Sequence, residues 1–225
     1  MVSDTDAFST ISRLPPELQV DLRLLFKERR YSRGQAVFQQ GDPSECVYMV
    51  AQGRVKMTRL AQGGFESVLC LRRPGDYFCP VSVIDRGPQL GTAEAMGDVV
   101  LLEADRGQFN ELCQESPELL AMVQGNCIGE VRTLVQRVEA FAFRNVRERL
   151  AMTILDESRR QRTNEKPVDE IRITQQELAG LVGASRESIS RTMTRLEKDG
   201  MVQTGRGRIR ILDRQQLSEL SGSTQ

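Results

Sequence analysis

The 225-residue chain contains no histidine. Histidine is the usual base in Ser-His and Cys-His nucleophilic chemistry and the commonest metal ligand in proteins, so its absence excludes both kinds of catalytic centre and any His-ligated metal. A glycine-rich loop of the kind that cradles phosphates is also missing. We therefore expect a protein that is not an enzyme.

Long apolar runs are lacking as well. No stretch approaches the roughly 18 residues of a membrane-spanning helix, and the polar segment Met1 to Asp6 does not resemble an export signal. These features predict a cytoplasmic protein with no membrane partner. The cysteines are odd in number and none has C-x-x-C spacing, which argues against a disulfide framework in that compartment; they are Cys46, Cys70, Cys79, Cys113 and Cys127.

The charge balance differs between the two halves of the chain. The 31 basic and 31 acidic residues cancel overall, but from Arg144 onward there are 16 basic and 12 acidic residues, a net charge of +4. The first 143 residues therefore carry a net charge of −4. A basic half joined to an acidic half is typical of a DNA-binding domain attached to a separate module.

Secondary-structure signals also change along the chain. Leucines on one face predict a short helix from Pro15 to Lys27, and the region from Tyr31 to Asp105 has short β-prone runs separated by glycine turns. Many short strands with regular turns indicate a sandwich or barrel-like roll. The clearest runs are Ala36–Phe38, Cys46–Val50, Val55–Met57 and Ser67–Leu69.

A long helix is predicted from Pro117, because proline is tolerated at a helix start. Apolar residues then recur at spacings of four and three, which is the pattern of a helix that packs against a partner helix. We interpret this face as a self-dimerisation seam; the alternative is packing against the protein's own roll. The seam residues are Cys127, Val131, Leu134, Val138 and Phe141.

The strongest local pattern lies between Ile173 and Leu212. Thr174 and Glu177 form a capping box that begins a helix, Gly183 supplies a turn, and Ser185 caps a second helix. A glycine-turned hairpin with basic residues at its tip follows that helix. This layout predicts a winged helix-turn-helix that binds double-stranded DNA.

The exposed side of the second helix carries the candidate base-reading residues. Arginine can donate two hydrogen bonds to guanine, and glutamate can accept one from cytosine, and such residues act near the start of a recognition helix. Arg195, further along, is better placed for phosphates. The full candidate set for DNA contact is Ser185, Arg186, Glu187, Ser190, Arg191 and Arg195.

The block from Ile173 to Arg191, ITQQELAGLVGASRESISR, resembles the helix-turn-helix of the CRP/FNR family of transcription regulators. Segments around Gly34, Gly41, Gly53 and Gly75 resemble the glycine pattern of that family's β-roll. The resemblance runs from about Leu14 to Leu212.

The resemblance implies an α+β protein with an N-terminal double-stranded, jelly-roll-like β-roll at 14–116, a dimerisation helix at 117–143 and a winged helix-turn-helix at 144–225. It also implies a homodimer on a palindromic operator with half-sites like TGTGA or TTGAT, and RNA polymerase as a partner. The residues that the resemblance assigns to base recognition are Arg186, Glu187, Ser190 and Arg191.

The residues of this chain do not match those of the family members that bind cyclic AMP. Cyclic-AMP-binding members of the family hold the ribose with a glutamate and the phosphate with an arginine, where this chain has Pro80 and Gly91. The positions on the long helix that would meet the purine are the apolar Leu134 and Val135. Phe78, Cys79 and Thr92 complete the candidate effector-binding set. A family-type iron–sulfur cluster is also excluded, because the first cysteine is Cys46, inside the roll.

Three interpretations of the signal stay open. Cys79-Pro80 resembles the thiolate ligand of the family's carbon-monoxide-sensing haem members, although the histidine that those members also use is absent. Gly125 and Gly129, one turn apart on the long helix, would leave room for such a flat ligand. A thiol-based redox sensor beside Arg72 and Arg73 is the second interpretation, and an unidentified small molecule is the third. Phe141 to Asn145 is the candidate hinge.

Overall fold

The structure is a computed structural model that describes residues 11–60, 66–78, 85–161 and 166–222. The chain divides into two compact units, Met1–Arg132 and Thr133–Gln225. None of the described helices combines the length and the apolar character that crossing a membrane requires.

The first unit is built around two antiparallel sheets. Within the described residues, one sheet has the strand order β1-β8-β3-β6 and the other the order β2-β7-β4-β5. This arrangement confirms the predicted roll. Its elements are α1 (Pro16–Leu25), β1 (Lys27–Tyr31), β2 (Ala36–Phe38), β3 (Cys46–Gln52), β4 (Val55–Leu60), β5 (Glu66–Arg72), β6 (Tyr77–Phe78), β7 (Thr92–Ala95), β8 (Val99–Asp105) and α2 (Arg106–Glu115).

Aromatic rings fill the space between the two sheets. Phe78 stacks on Tyr48 with ring centroids 5.1 Å apart, and Phe38 lies 5.3 Å from Tyr48. Val50 and Leu101 from neighbouring strands close this cluster and are fully buried. On β3, Tyr48 and Val50 belong to this cluster, whereas the alternating residues Val47, Met49 and Ala51 belong to the cluster on the opposite face of the strand.

A second cluster joins the roll to its helices. Leu18 and Leu22 of α1 meet Phe109 of α2, and Leu119 and Val123 near the start of the long helix join them. Leu18 and Leu22 are four positions apart, as are Leu119 and Val123, so the two members of each pair face the same side of their helix. This cluster anchors the first turns of the long helix within the first unit.

The long helix, α3, runs from Pro117 to Phe143 and begins at the proline that the sequence predicted. Proline stands at its first position, where the missing N–H is not needed. The seam residues of its second half are largely exposed: Val131 is 57% exposed and Val138 is 68% exposed. Cys127 is the exception, because it packs in part against the helix–roll cluster.

The second unit contains the remaining elements. Its three-stranded sheet has the order β10-β11-β9, and β9 and the last helix were not expected from the sequence. Its first helix runs from Val146 to Arg160, with Asn145 as its cap in a capping box with Glu148. The elements are α4 (Val146–Arg160), β9 (Glu170–Arg172), α5 (Gln175–Val182), α6 (Arg186–Lys198), β10 (Val202–Gly205), β11 (Arg208–Ile211) and α7 (Arg214–Leu220).

Candidate nucleic-acid interface and effector positions

Helices α5 and α6 are set by polar caps, as predicted. The Thr174 hydroxyl accepts a hydrogen bond from the Glu177 N–H at 3.2 Å, and the Glu177 carboxylate accepts one from the Thr174 N–H at 2.5 Å. Gly183 ends α5 in the left-handed conformation with φ 66°, and the Ser185 hydroxyl accepts from the Ser188 N–H at 3.2 Å. These caps turn the chain sharply between the two helices of a helix-turn-helix.

One face of α6 is buried and the other is presented to solvent. Ile189, Met193 and Leu196 are at most 1% exposed. The candidate DNA-contacting residues lie on the other side: Ser185, Arg186, Glu187, Arg191 and Arg195 are exposed, and Ser190 is half-buried. The structure therefore brings the predicted set together on one helix face.

Glu187 is ionised on this face. Its carboxylate accepts hydrogen bonds from its own backbone N–H and from the Ser185 side chain, and both lower the pKa of Glu187. An ionised carboxylate can only accept hydrogen bonds, which suits the amino group of cytosine. The arginines on either side, Arg186 and Arg191, supply donors for guanine or phosphate.

The hairpin β10–β11 forms a wing beside the recognition helix. Glu197 of α6 accepts hydrogen bonds from the backbone N–H and the hydroxyl of Thr204 at 2.7 and 2.5 Å, which ties the wing to the helix. Arg206 is exposed at the tip, and Arg208 and Arg210 form ion pairs of 3.5 and 3.2 Å with Glu170. A cavity of about 240 Å³ separates wing and helix and is lined in part by Arg186 and Arg208.

An arginine that sequence analysis missed connects the end of α3 to the helix-turn-helix. The guanidinium of Arg149 donates to the carbonyls of Arg144 at 2.8 Å and Val182 at 3.1 Å. It also lies 5.1 Å from the centre of the Phe141 ring. That ring packs closely against Gly183, because a Cβ at this glycine would lie 2.5 Å from it. Arg149 and Phe141 thus hold the predicted hinge segment against the turn of the motif. No spacing rule in the sequence indicates a contact of this kind.

The effector positions of the roll are less accessible than the sequence suggested. Phe78 is fully buried in the aromatic core. Gly91 is buried, and a Cβ at this position would lie 2.5 Å from the Thr58 carbonyl oxygen, so no larger residue fits without a shift. The Thr92 hydroxyl accepts from the Gln40 N–H at 3.1 Å. Cys79 and Pro80 lie outside the described residues.

Leu134 and Val135 belong to the second unit, where they are 50% and 62% exposed. The space around Gly125 and Gly129 is open, because a Cβ at either position would meet no atom within 4 Å outside their own helix. The room that the sequence predicted beside these glycines is therefore present on the described part of α3. Among the residues that the structure describes, no three cysteine, aspartate or glutamate side chains converge as a metal site would need.

Three of the cysteine thiols are poor candidates for reactive thiolates. Burial raises the pKa of Cys113 to about 11 and also raises the pKa of Cys46 and of Cys127. A thiol with a raised pKa stays protonated at neutral pH and reacts slowly.

Comparisons with known proteins agree with this architecture. Residues 28–116 match the family profile of the cyclic nucleotide-binding domain, and residues 148–220 match that of the Crp-like helix-turn-helix domain. The chain is 32% identical over 209 residues to the cyclic AMP receptor protein of Thermus thermophilus, which covers 92% of this chain and 94% of that protein. The chain belongs to the CRP/FNR family of transcription regulators.

Solved structures give the same result for the fold. A CRP/FNR-family transcriptional regulator from Thermus thermophilus has a TM-score of 0.68 at 25% identity, covering 88% of this chain and 99% of that chain. The structure of FixK2 from Bradyrhizobium japonicum has a TM-score of 0.80 at 20% identity, covering 89% of this chain and 99% of that chain. This CRP/FNR-family member is thus a DNA-binding transcription regulator, and its relatives are regulators rather than enzymes.

Proposed function

We propose that this regulator binds a palindromic operator as a homodimer, through the exposed face of α6, under the control of a small signal other than cyclic AMP. The observation that carries the proposal is the segregation of α6 into a buried apolar face and an exposed face with Arg186, Glu187 and Arg191. A palindrome suits a two-fold protein whose recognition helices reach half-sites about 34 Å apart.

A mobility-shift titration tests DNA binding. Palindromes with TGTGA or TTGAT half-sites are compared with a scrambled duplex of equal length at several salt concentrations. We expect specific binding to one palindrome and affinity that falls steeply with salt, because phosphate contacts release counterions. Equal affinity for both palindromes and the scrambled duplex would overturn sequence-specific binding.

Association through α3 is supported by the exposure of its apolar seam. Leu134, Val138 and Phe141 follow one another at spacings of four and three and are each at least half exposed. Sedimentation equilibrium tests this interface. We expect a dimer that dissociates when Val138 is changed to Asp, and no change for Val20→Asp, which puts the same charge on a 55% exposed valine of α1. A monomeric wild-type protein would contradict the proposal.

A signal other than cyclic AMP is supported by Gly91. Several relatives are named for cyclic AMP, including the Thermus thermophilus protein, yet the close approach of Thr58 leaves no room at position 91 for the expected arginine. Titration calorimetry with cyclic AMP should therefore give no saturable heat. Tight binding would show that the ligand is held by other residues.

Haem bound through Cys79 is the first candidate for the signal receptor. It rests on the Cys79-Pro80 pair, and the open space around Gly125 and Gly129 is compatible with a bulky group on that face of α3. Bound haem would supply an iron that takes a gas ligand or changes redox state. Absorption spectra of the protein with added haemin test this: we expect an intense band that is altered in Cys79→Ser. The absence of a band would overturn it.

A thiol sensor is the second candidate. The raised pKa values of Cys46, Cys113 and Cys127 restrict this candidate to Cys70 and Cys79. Modification by a thiol reagent at pH 7, followed residue by residue by mass spectrometry, separates these two from the others. Uniformly slow modification would leave a small non-covalent ligand as the signal.

A further inference from the structure

Arg72, the last residue of β5, is withdrawn from solvent. Its side chain is 12% exposed, and its Nη1 atom donates to the Glu130 carboxylate on α3 at 2.8 Å. Its Nε atom is buried and has no acceptor among the described residues. A guanidinium presents its donors as a fork that a carboxylate can grip with both oxygens, so the contact with Glu130 leaves part of this fork unused.

The two partners of this ion pair differ in exposure. Glu130 is 38% exposed, so its side chain borders water, whereas Arg72 is enclosed. Burial lowers the pKa of Arg72, but the nearby Cys70 and Glu130 together raise it by more. The net pKa therefore lies above the ordinary value, and the guanidinium stays charged. A buried, permanent cation with an unused donor is a ready receptor for an anion.

Polar groups of α3 lie beside this position. The Tyr77 hydroxyl donates to the Met122 carbonyl at 3.3 Å and accepts a hydrogen bond from the Asn126 amide. Burial raises the pKa of Tyr77, so its hydroxyl remains a neutral donor and does not repel an anion. The nearby Asp76 carboxylate is engaged with the Arg73 backbone N–H at 2.9 Å.

We propose that Arg72 is the receptor for a small carboxylate ligand, which binds the guanidinium edge formed by Nε and Nη2 and takes over from Glu130 as the counter-charge. The group that occupies the guanidinium in this structure is itself a carboxylate, which is why this class is favoured. The inference rests on the proposed function and names the chemical class of its signal. Because Glu130 lies on α3, the ligand would replace a direct link between the roll and the long helix.

The test uses sodium acetate as the probe and the full-length protein. Nitrogen-15 spectra report the Arg72 Nε–H resonance, assigned by its loss in Arg72→Lys, during titration at constant ionic strength, with acetamide as the neutral control. Glu130→Gln removes the tethered competitor, so we expect acetate to bind about tenfold tighter than to the wild type. Glu118→Gln, at an exposed position of the same helix, should bind acetate as the wild type does.

The Lys variant keeps the charge but lacks the fork, so it should lose acetate binding while keeping its fold. Acetate binding to the Lys variant is followed on the backbone amide resonances of β5, because this variant lacks the Nε–H resonance. Equal acetate affinity on these amides in the wild type, Glu130→Gln and Arg72→Lys would overturn the proposal, as would no shift in Glu130→Gln. Dimer mass and operator affinity are measured on the same samples. If both are retained while acetate binding fails, the inference fails and the proposed function stands.

Discussion

The two units of this regulator place their arginines in different ways. In the DNA-binding unit, Arg186 and Arg191 are exposed on α6. The start of this helix is fixed by a capping hydrogen bond between residues only three positions apart in the sequence. In the roll, Arg72 is enclosed and its partner Glu130 stands 58 residues away. The first arrangement presents charge to a large anionic partner, and the second retains charge for a contact inside the unit.

This difference has an energetic side. An exposed arginine loses little hydration until DNA arrives, and its contacts are then screened by salt. A buried arginine has already lost its hydration, so the removal of its counter-charge is expensive unless another anion takes its place. We therefore expect substitutions on α6 to change DNA affinity directly, and substitutions at the buried pair to change ligand affinity.

The largest effect expected in the DNA-binding unit comes from Gly183→Ala. The new Cβ would lie 2.5 Å from the Phe141 ring at φ 66°, so both left-handed strain and overpacking oppose it. We expect the free energy of unfolding to fall by about 2–4 kcal/mol, measured by urea titration. Gly200→Ala is the matched control: its φ is 72° but nothing lies within 4 Å of its Cβ, so it should cost about 1–2 kcal/mol. Equal losses would show that the Phe141 contact does not matter.

Arg191→Ala comes next and acts on affinity rather than stability. Loss of a bidentate contact to guanine should weaken operator binding by about 1–3 kcal/mol and relax the preference at one base pair. Competition binding with operators changed at each position measures both effects. Arg33→Ala, which removes an exposed arginine from the roll, should leave affinity nearly unchanged. A uniform loss on every sequence would instead assign Arg191 to phosphate contact.

Arg149→Met tests the contact between the end of α3 and the motif. The variant loses the hydrogen bonds to the carbonyls of Arg144 and Val182, so we expect a loss of stability of about 1–2 kcal/mol together with weaker operator binding. Arg159→Met, at an exposed residue of the same helix whose ion pair with Asp156 is local, should change neither by a comparable amount. Urea titration and mobility shifts on both variants make the comparison. Unchanged operator affinity in Arg149→Met would leave Arg149 with a role in stability alone.

The same contrast explains what the sequence could predict. Thr174, Gly183 and Ser185 could be assigned because caps and turns act over three or four residues. The seam on α3 follows from periodicity, and the strand-rich roll follows from short β-prone runs between glycine turns; both signals are also local. The three-residue strand β9 is too short for a periodic signal, and its formation depends on pairing with β11.

Contacts between distant residues had no such signal. Arg149 reaches a carbonyl 33 residues away, and Glu130 reaches Arg72 across 58 residues, so neither pair has a spacing that identifies it. For Phe78 a local signal was present but misleading, because its position beside Cys79 suggested that it contacts an effector. Its ring is instead held between the sheets by Tyr48 and Phe38, which only the tertiary structure reveals.

The smallest effect is expected at the wing. Glu170 neutralises Arg208 and Arg210, whose side chains are 62% and 59% exposed, so it competes with DNA phosphates for both arginines. Glu170→Gln should tighten binding to a scrambled duplex by about 0.2–1 kcal/mol at low salt. The gain should shrink between about 50 and 200 mM salt, because exposed charges are screened. Glu111→Gln makes the same charge change on an exposed residue of the roll. An equal gain in that variant would mean that total charge, rather than release of the wing arginines, controls the affinity for DNA.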